Sequence, residues 1–385
     1  MKPLGPIVTA AIFGSLVIAL SGSNPVMEPA AATAQAGPVA PAVKVDPFWP
    51  KPLPNDWLLG QVAGIAIDAQ DDVWLVQRPG SLTADERGLE LGRSMCCRRA
   101  PPVMEFDTGG NVLRAWGGPA PCVPPAGVNP VVGGACYEWP PNEHGIFIDD
   151  DGNVWIAGNG ADDHQVLKFT AEGKFLLQIG RAGLTGGDAS TQLLGQPADM
   201  FVDGQANEVY VADGYRNHRV IVFDADTGQY KRHWGAYGFP PGDPRAPTQF
   251  GNPVHCVVIA DDGLVYVCDR INNRGQVFTK NGTFIKEFFI RAETRGNGAE
   301  WDLDFSADKR QTHLFSADGE NNVVWVQRRD TGSILSSFGR NGRYAGQFHW
   351  VHNLVVDSKG NIYTAEVDTG KRAQKFRPVG FRPTG

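Results

Sequence analysis

Short runs of apolar residues recur along the chain, and turns rich in aspartate and glycine separate them. Residues 145–149 form one such run, an Asp-Gly turn follows, and residues 154–157 form a second run. Short apolar runs bounded by turn residues predict β-strands that are joined as hairpins. After the first few dozen residues, no stretch keeps the apolar period of a helix for three turns. The pattern therefore predicts an all-β protein.

This pair of strands occurs six times. The paired runs cover residues 64–68 and 73–76, 145–149 and 154–157, 199–203 and 209–212, 256–260 and 265–268, 301–305 and 313–316, and 353–357 and 362–365. Third and fourth strands follow, as at residues 165–169 and before Gly180. Six repeats of this kind predict a six-bladed β-propeller with four antiparallel strands per blade. The last repeat runs out near Phe376, one strand short, so a segment before Gly60 is expected to close the ring.

Histidine occupies one position of the repeat in every second blade. The residues just before the six first strands are, in chain order, Ala63, His144, Ala198, His255, Glu300 and His352. Each histidine stands eight residues before a turn glycine, at Gly152, Gly263 or Gly360. Equivalent positions of alternate blades form a threefold set around the central channel, which the innermost strands line. The three imidazoles are therefore expected to meet on the axis.

Three neutral imidazoles around an open position form the ligand set of many catalytic zinc sites. We therefore predict one zinc ion held by His144, His255 and His352, although the ligand type alone leaves copper, iron and nickel open. The other five histidines follow no such register; they are His164, His218, His233, His313 and His349.

Five short segments carry a resemblance to a known family. They are Gly60-Gln61-Val62-Ala63-Gly64 with Arg78 at the end of the next strand, Glu143-His144-Gly145-Ile146, Val211-Ala212-Asp213-Gly214-Tyr215-Arg216-Asn217, Val254-His255 and Val351-His352. The repeats resemble NHL repeats, and the whole set resembles the peptidyl-α-hydroxyglycine α-amidating lyase family. The resemblance covers roughly Gly60 to Phe376.

The resemblance implies a reaction and a set of roles. The family cleaves the C–N bond of a peptidyl-α-hydroxyglycine and releases a peptide amide and glyoxylate. On this basis the three histidines hold the zinc ion, and Tyr215 acts as the base. Arg78 holds a carboxylate or carbonyl of the substrate through its planar donor fork.

The chain departs from the family at three positions. Trp350 stands where the family has methionine two residues before the last zinc histidine. Asn353 stands where the family has an aspartate linked to structural calcium; an amide oxygen can still ligate calcium, so calcium remains open. Glu300 is expected at the pore position of the fifth blade, as an extra acid, a partner of a ligand or a substrate determinant.

Charge and the N-terminus indicate where the protein works. A net charge of -7 argues against a nucleic-acid surface. Residues 1–34 read as a signal peptide, residues 35–52 as a linker rich in proline and alanine, and residues 53–385 as the propeller. We therefore expect export to the periplasm or medium, with an uncleaved N-terminal anchor as the alternative, and no integral membrane domain.

The six cysteines fit an exported protein with disulfides. Cys122 and Cys136 bracket a loop rich in proline and glycine. Cys256 and Cys268 fall opposite each other on one predicted hairpin, where a cross-strand bridge is geometrically possible. A bond between the adjacent Cys96 and Cys97 is strained, so their partners are expected elsewhere.

These observations favour a monomeric, metal-dependent lyase that acts on a small hydroxylated amide or a peptide terminus. One alternative is a hydrolase of a small ester or lactone that uses a metal-bound hydroxide. Another is a non-enzymatic propeller that binds a ligand or protein, with a structural metal closed by a fourth protein ligand such as Glu300. The insertion at residues 79–102 is either a lid or substrate-selecting loop, or a plain surface excursion.

Overall fold

The computed structural model describes residues 39–383, which form short antiparallel strands joined by turns. Strands β1 (Val39–Asp46) and β2 (Trp57–Leu58) precede the first complete sheet. The first three blades contain β3 (Gln61–Ile67), β4 (Val73–Arg78), β6 (Val103–Phe106) and β7 (Val112–Trp116); β9 (Glu143–Ile148), β10 (Val154–Gly158), β11 (Gln165–Phe169) and β12 (Phe175–Gly180), with the short β8 (Val131–Val132) at its edge; and β13 (Asp199–Asp203), β14 (Glu208–Asp213), β15 (Arg219–Asp224) and β16 (Tyr230–Trp234).

The last three blades repeat the arrangement. They contain β17 (Val254–Ile259), β18 (Val265–Asp269), β19 (Arg274–Phe278) and β20 (Phe284–Phe289); β21 (Asp302–Phe305), β22 (His313–Asp318), β23 (Val323–Arg328) and β24 (Ile334–Phe338); and β25 (Val351–Val356), β26 (Ile362–Glu366) and β27 (Arg372–Pro383), with β1 as the fourth strand. Single 3₁₀ turns lie at Pro79–Ser81, Ala236–Gly238 and Arg270–Asn272, and β2 pairs in parallel with β5 (Arg98–Arg99). The six-bladed propeller predicted from the repeats is confirmed.

The N-terminal strand closes the ring. β1 pairs antiparallel with β27, in a register that runs from Val39 opposite Pro383 to Asp46 opposite Lys375. A segment before Gly60 thus supplies the missing strand, as the sequence predicts. The stretch 35–52, interpreted as a linker, therefore contains a propeller strand, and the propeller begins before residue 53. The predicted signal peptide at residues 1–34 lies outside the described residues.

The repeated turns explain how the first two strands of a blade are joined. In the second blade, the Asp149 carboxylate accepts hydrogen bonds from the backbone N–H groups of Asp151 and Asn153. Gly152 takes a φ of +76° in this turn, a conformation that a residue without a Cβ adopts readily. The same acid side chain accepts a hydrogen bond from the buried Trp155 indole, which ties the turn to the core.

Apolar faces of adjacent blades pack against each other and form the core. Trp155 of the second blade, for example, shares a buried cluster with Val209 and Ile221 of the third. Each innermost strand contacts the innermost strand of the next blade, and β25 contacts β3. Gly145 is needed for this approach, because a Cβ there would lie 2.6 Å from the carbonyl oxygen of Ala198. Six innermost strands therefore surround one axis.

The cysteines pair within three local segments. Cys122 is bonded to Cys136, and Cys256 to the directly opposite Cys268, as the sequence suggests. The expectation that Cys96 and Cys97 find partners elsewhere is wrong, because the structure pairs these two with each other. The other four cysteines form the two bonds above, which leaves Cys96 and Cys97 no other partner. Between residues 39 and 383, no helix has both the length and the apolar character required to span a bilayer.

Candidate metal centre

Three buried histidines meet on the axis, one from the start of each even-numbered blade. The ring centroids of His144 and His255 lie 5.0 Å apart, those of His144 and His352 lie 4.6 Å apart, and those of His255 and His352 lie 4.9 Å apart. One ring nitrogen from each of them lies within 4.8 Å of the others. The alternating register in the sequence thus corresponds to one compact cluster of imidazoles.

The alternate blades without histidine orient these rings. Nδ1 of His144 donates to the carbonyl oxygen of Ala198 at 2.7 Å, and Nδ1 of His352 donates to that of Ala63 at 2.6 Å. Nδ1 of His255 donates in the same way to the carbonyl of Trp301. A carbonyl oxygen can only accept, so Nδ1 carries the proton and Nε2 of each neutral ring keeps its lone pair. Metal-binding histidines are commonly held in this way, so the donor set fits a zinc ion.

The surroundings keep the three rings neutral. Burial lowers the pKa of His352 to about 3, and the nearby cations of Arg78 and Arg270 add to this effect. Burial also lowers the pKa of His144 and of His255 well below the usual value. Neighbouring imidazoles and Arg270 lower both values further, and Arg78 lowers that of His144. A neutral imidazole is the form that binds a metal, so the cluster has ligands ready at neutral pH.

Tyr215 reaches the point where the imidazoles converge. It follows β14 in the third blade, and its hydroxyl lies 2.9 Å from Nε2 of His144 and 3.1 Å from Nε2 of His255. The backbone N–H of Tyr215 donates to the carbonyl of Gln196 at 3.1 Å, which holds the loop. The structure thus brings this predicted site residue directly to the histidine cluster.

Arg78 ends β4 of the first blade and is fixed by three acceptors. Its Nε donates to the carbonyl of Glu143 at 2.7 Å, and its Nη1 and Nη2 donate to the side-chain oxygens of Gln61 and Asn159 at 2.8 and 3.2 Å. Glu143 directly precedes His144, so this contact fixes the guanidinium to the backbone next to one predicted ligand. Its remaining N–H groups are free of these three contacts and can serve a substrate.

Arg270 is a site residue that the sequence reasoning missed. It follows β18 in the fourth blade, and its Nη1 donates to the Tyr215 hydroxyl at 3.1 Å. Its buried guanidinium lies 4.5 Å from the Trp301 ring centre and 5.5 Å from that of Tyr215. Arg78 and Tyr215 also follow second strands of their blades, so an arginine just after the second strand of the fourth blade was a signal available in the sequence.

The expectation that Glu300 occupies the pore position of the fifth blade is wrong. The backbone N–H of Trp301 donates to Ala317 as that of Ala198 donates to Ala212, so Trp301 is the equivalent residue. Glu300 lies one residue earlier and is fully buried, with the Ser316 hydroxyl donating to its Oε1 at 3.1 Å. Burial raises its pKa well above the usual value. Its carboxyl is therefore not part of the histidine group.

The surroundings of Asn353 do not fit a calcium ligand. Its amide oxygen accepts the backbone N–H of Ile65 at 2.8 Å, and its amide nitrogen donates to Asp302 at 2.6 Å. Both ends of the amide are thus engaged within the protein, and we derive no step from calcium. Trp350 is another departure from the family, and its ring packs edge-on against that of Trp301, with the two ring centroids 5.3 Å apart.

Three aspartates line a cavity of 160 Å³ between the innermost strands. Asp302 is buried, and Asp199 and Asp304 are half-buried. The carboxylate of Asp304 accepts the backbone N–H groups of Phe305 and Val356, both at 2.7 Å. Burial nevertheless raises the pKa of Asp304 to about 7. The folded protein therefore favours the protonated acid at this position.

The raised pKa of Asp304 predicts that stability falls as pH increases. The favourable contribution of the protonated acid is complete below the unfolded pKa near 4 and is lost as pH rises through about 7, which amounts to about 2–3 kcal/mol between pH 5 and pH 8. Asp304→Asn has no charge to bury, so its free energy of unfolding should fall less over this interval. Urea unfolding of both proteins at pH 5 and pH 8 measures this pH dependence. The variant also loses the hydrogen bond to Val356, but it does so at both pH values, so this loss does not contribute to the comparison. Equal pH dependence in the two proteins would contradict the assignment.

Comparison with known proteins supports the resemblance seen in the sequence. Residues 194–223 match the family model of the NHL repeat. Peptidyl-glycine alpha-amidating monooxygenase A of Xenopus laevis is 31% identical over 83% of this chain and 32% of its own length. A probable peptidyl-alpha-hydroxyglycine alpha-amidating lyase of Caenorhabditis elegans is 25% identical over 59% of this chain and 62% of its own. NHL repeat-containing protein 3 of Mus musculus is 26% identical over 88% of this chain and 85% of its own.

These relatives differ in how much of their own length the chain covers and in what the similarity can support. The chain spans only about a quarter to a third of the length of the amidating monooxygenases that it matches. A solved streptogramin B lyase structure superposes with a TM-score of 0.51 at 15% identity and covers 87% of this chain and 98% of its own, which bears on the fold alone. The chain is an NHL-repeat β-propeller that resembles the peptidyl-α-hydroxyglycine α-amidating lyase family.

Proposed function

We propose that this protein is an exported, monomeric, zinc-dependent carbon–nitrogen lyase that releases an amide and glyoxylate from an α-hydroxyglycine terminus. The observation that carries the proposal is the position of the Tyr215 hydroxyl, within 3.1 Å of Nε2 of both His144 and His255 and of Nη1 of Arg270. A group able to move a proton thus lies beside the Nε2 atoms of two candidate metal ligands and beside a cation. Relatives named as amidating lyases support the same class of reaction.

His144, His255 and His352 would hold the metal through Nε2, since Nδ1 of each ring is engaged with a carbonyl. A bound zinc ion supplies Lewis acidity, which polarises a substrate hydroxyl and makes its proton easier to remove. The buried carbonyl partners fix the rings, so the ligand geometry needs little rearrangement when the ion binds. Zinc is our choice among the metals that imidazole ligands accept.

Tyr215 would act as the base in its phenolate form, whose negative oxygen Arg270 would stabilise. It would become a neutral phenol as it accepts the hydroxyl proton of the substrate. As the proton leaves, the substrate oxygen forms the carbonyl group of glyoxylate, the C–N bond breaks, and the departing amide nitrogen takes a proton. Arg78 would bind the carboxylate or a carbonyl of the substrate with the N–H groups left free by Gln61, Glu143 and Asn159.

The position of Glu300 weakens the alternative in which the metal is structural. That alternative called for a fourth protein ligand, and the Glu300 carboxyl instead faces Ser316 and the sulfur of Cys268. The histidine group gathers no carboxylate from the described residues. Three histidine ligands would leave a fourth position for a substrate, and this supports an enzyme.

The proposal is tested by joining metal content to turnover. The purified protein should contain one equivalent of zinc and release glyoxylate from α-hydroxyhippurate, and a chelator should abolish this release until zinc is restored. Release that persists after complete removal of the metal would overturn the metal-dependent mechanism. A stable zinc protein without glyoxylate release would overturn the lyase and leave the ester or lactone hydrolase to be tested with those substrates.

A further inference from the structure

The insertion at residues 79–102 forms one side of a groove beside the metal centre. The groove has a volume of 440 Å³, and six of its lining residues belong to the insertion, among them Pro79, Arg99 and Pro102. Two lining residues are chain neighbours of the site, since Pro79 follows Arg78 and Glu143 precedes His144. The insertion is therefore part of the surroundings of the site.

Hydrogen bonds fix the insertion to the arginine of the site. The Ser81 hydroxyl donates to the carbonyl of Arg78 at 2.7 Å and accepts the backbone N–H of Gln61 at 2.8 Å. Gln61 in turn accepts a hydrogen bond from Arg78. At its other anchor, Lys371 of the last blade donates to Glu86 at 2.7 Å and to the carbonyl of Ser81 at 3.0 Å. These contacts hold the start of the insertion against Arg78.

Two tryptophans give the groove its chemical character. Trp57 lies on one side, where β2 pairs with β5 of the insertion and places Trp57 opposite Arg98. Trp139 also lines the groove, and its indole donates to the buried carboxylate of Glu143 at 2.8 Å. Gly117 leaves room for this indole, because a Cβ there would lie 2.8 Å from the ring. The Trp139 ring is thus held by the structure before any ligand binds, and Trp57 is partly buried against the cluster that contains Trp49 and Leu59.

Most of the remaining lining of the groove is apolar, and its one arginine already forms an ion pair within the protein. Pro79, Pro101, Pro102, Pro119 and Pro141 line the groove with the two tryptophans. Arg99 is paired with Glu90 at 3.0 Å, which leaves no free charge for an anionic ligand at this point. Aromatic and proline side chains favour flat apolar groups, which they contact without a cost in hydrogen bonds.

We propose that this groove binds the acyl portion of the substrate and selects an aromatic or large apolar group next to the hydroxyglycine. The proposal rests on the lyase activity proposed above and adds its substrate class. The reacting carbon would lie at Tyr215, and the acyl group would extend past Arg78 into the groove between Trp57 and Trp139. An aromatic acyl group should then be favoured over acetyl by about 10-fold or more in kcat/KM.

The test compares two acyl groups on one reacting unit. We expect the wild-type protein to prefer α-hydroxyhippurate over N-acetyl-α-hydroxyglycine, and we expect Trp57→Ala to lose this preference by slowing only the benzoyl substrate. Gly80→Trp is the second variant, since Gly80 lines the groove and a Cβ there meets nothing within 4 Å. The new side chain should fill the groove and lower kcat/KM for the benzoyl substrate without disturbing the fold. Tyr344→Ala, at a side chain that is 81% exposed, is the matched control.

Binding of the unreactive analogues hippurate and N-acetylglycine to the zinc-loaded proteins, measured by calorimetry, separates the two proposals. Equal turnover of both substrates by the wild-type protein, or a preference that neither variant alters, would overturn the groove and leave the lyase intact. Absence of glyoxylate from both substrates would overturn the lyase, and the groove then stands only if hippurate binds more tightly than N-acetylglycine and Gly80→Trp removes the difference. Equal binding of the two analogues in that case overturns the groove as well.

Discussion

Replacement of His352 by alanine should empty the metal centre. The Nδ1 atom of this ring is engaged with the carbonyl of Ala63, so Nε2 is the atom offered to the ion, and its removal leaves two imidazoles. Loss of a hydrogen-bond partner of a ligand already lowers metal affinity by about 10- to 100-fold, so loss of a ligand should exceed that range. Competition with a chromophoric chelator measures the affinity, and glyoxylate release should fall with it.

The histidines outside the register provide the control. His233 lies in β16, the fourth strand of the third blade, and its Nδ1 is hydrogen-bonded to the Tyr230 hydroxyl at 2.9 Å. Because this position is outside the histidine cluster, His233→Ala should keep full metal content and turnover. Circular dichroism of each variant checks that the propeller remains folded. His144→Ala and His255→Ala should behave like His352→Ala. Full metal content in any one of these three variants would show that the three-histidine site is wrong.

The fold was predictable because each blade repeats the same short-range pattern. The strand pairs recur every 45 to 57 residues after a longer first interval. Their turns are local structures, and the turn at Asp149 is held by the side chain of that residue. Closure of the ring was predictable as a requirement for a fourth strand. The identity of that strand was not, because β1 lies in a stretch rich in proline and alanine and becomes a strand only through its pairing with β27.

The metal centre was predictable only as far as the register could be followed. Counting back from a turn glycine worked for His144, His255 and His352, because their hairpins have the same length. The fifth blade has no glycine in its longer turn between β21 and β22, so the count placed Glu300 where Trp301 lies. Arg270 was missed although it follows a second strand, as Arg78 and Tyr215 do, because its contact with Tyr215 joins separate blades and only the fold shows it.

Replacement of Tyr215 by phenylalanine should abolish most turnover while the metal stays bound. The change removes the hydroxyl that lies 2.9 Å from His144 and 3.1 Å from Arg270, and it keeps the ring that packs against His144. Because a positioned acid or base typically contributes about 10²- to 10⁴-fold, kcat should fall by that factor, with little change in KM. Tyr344→Phe, at an exposed tyrosine, should leave kcat unchanged. A zinc-loaded Tyr215→Phe protein that turns over at the wild-type rate would exclude this hydroxyl as the base and leave the guanidinium of Arg270 without the partner that our mechanism gives it.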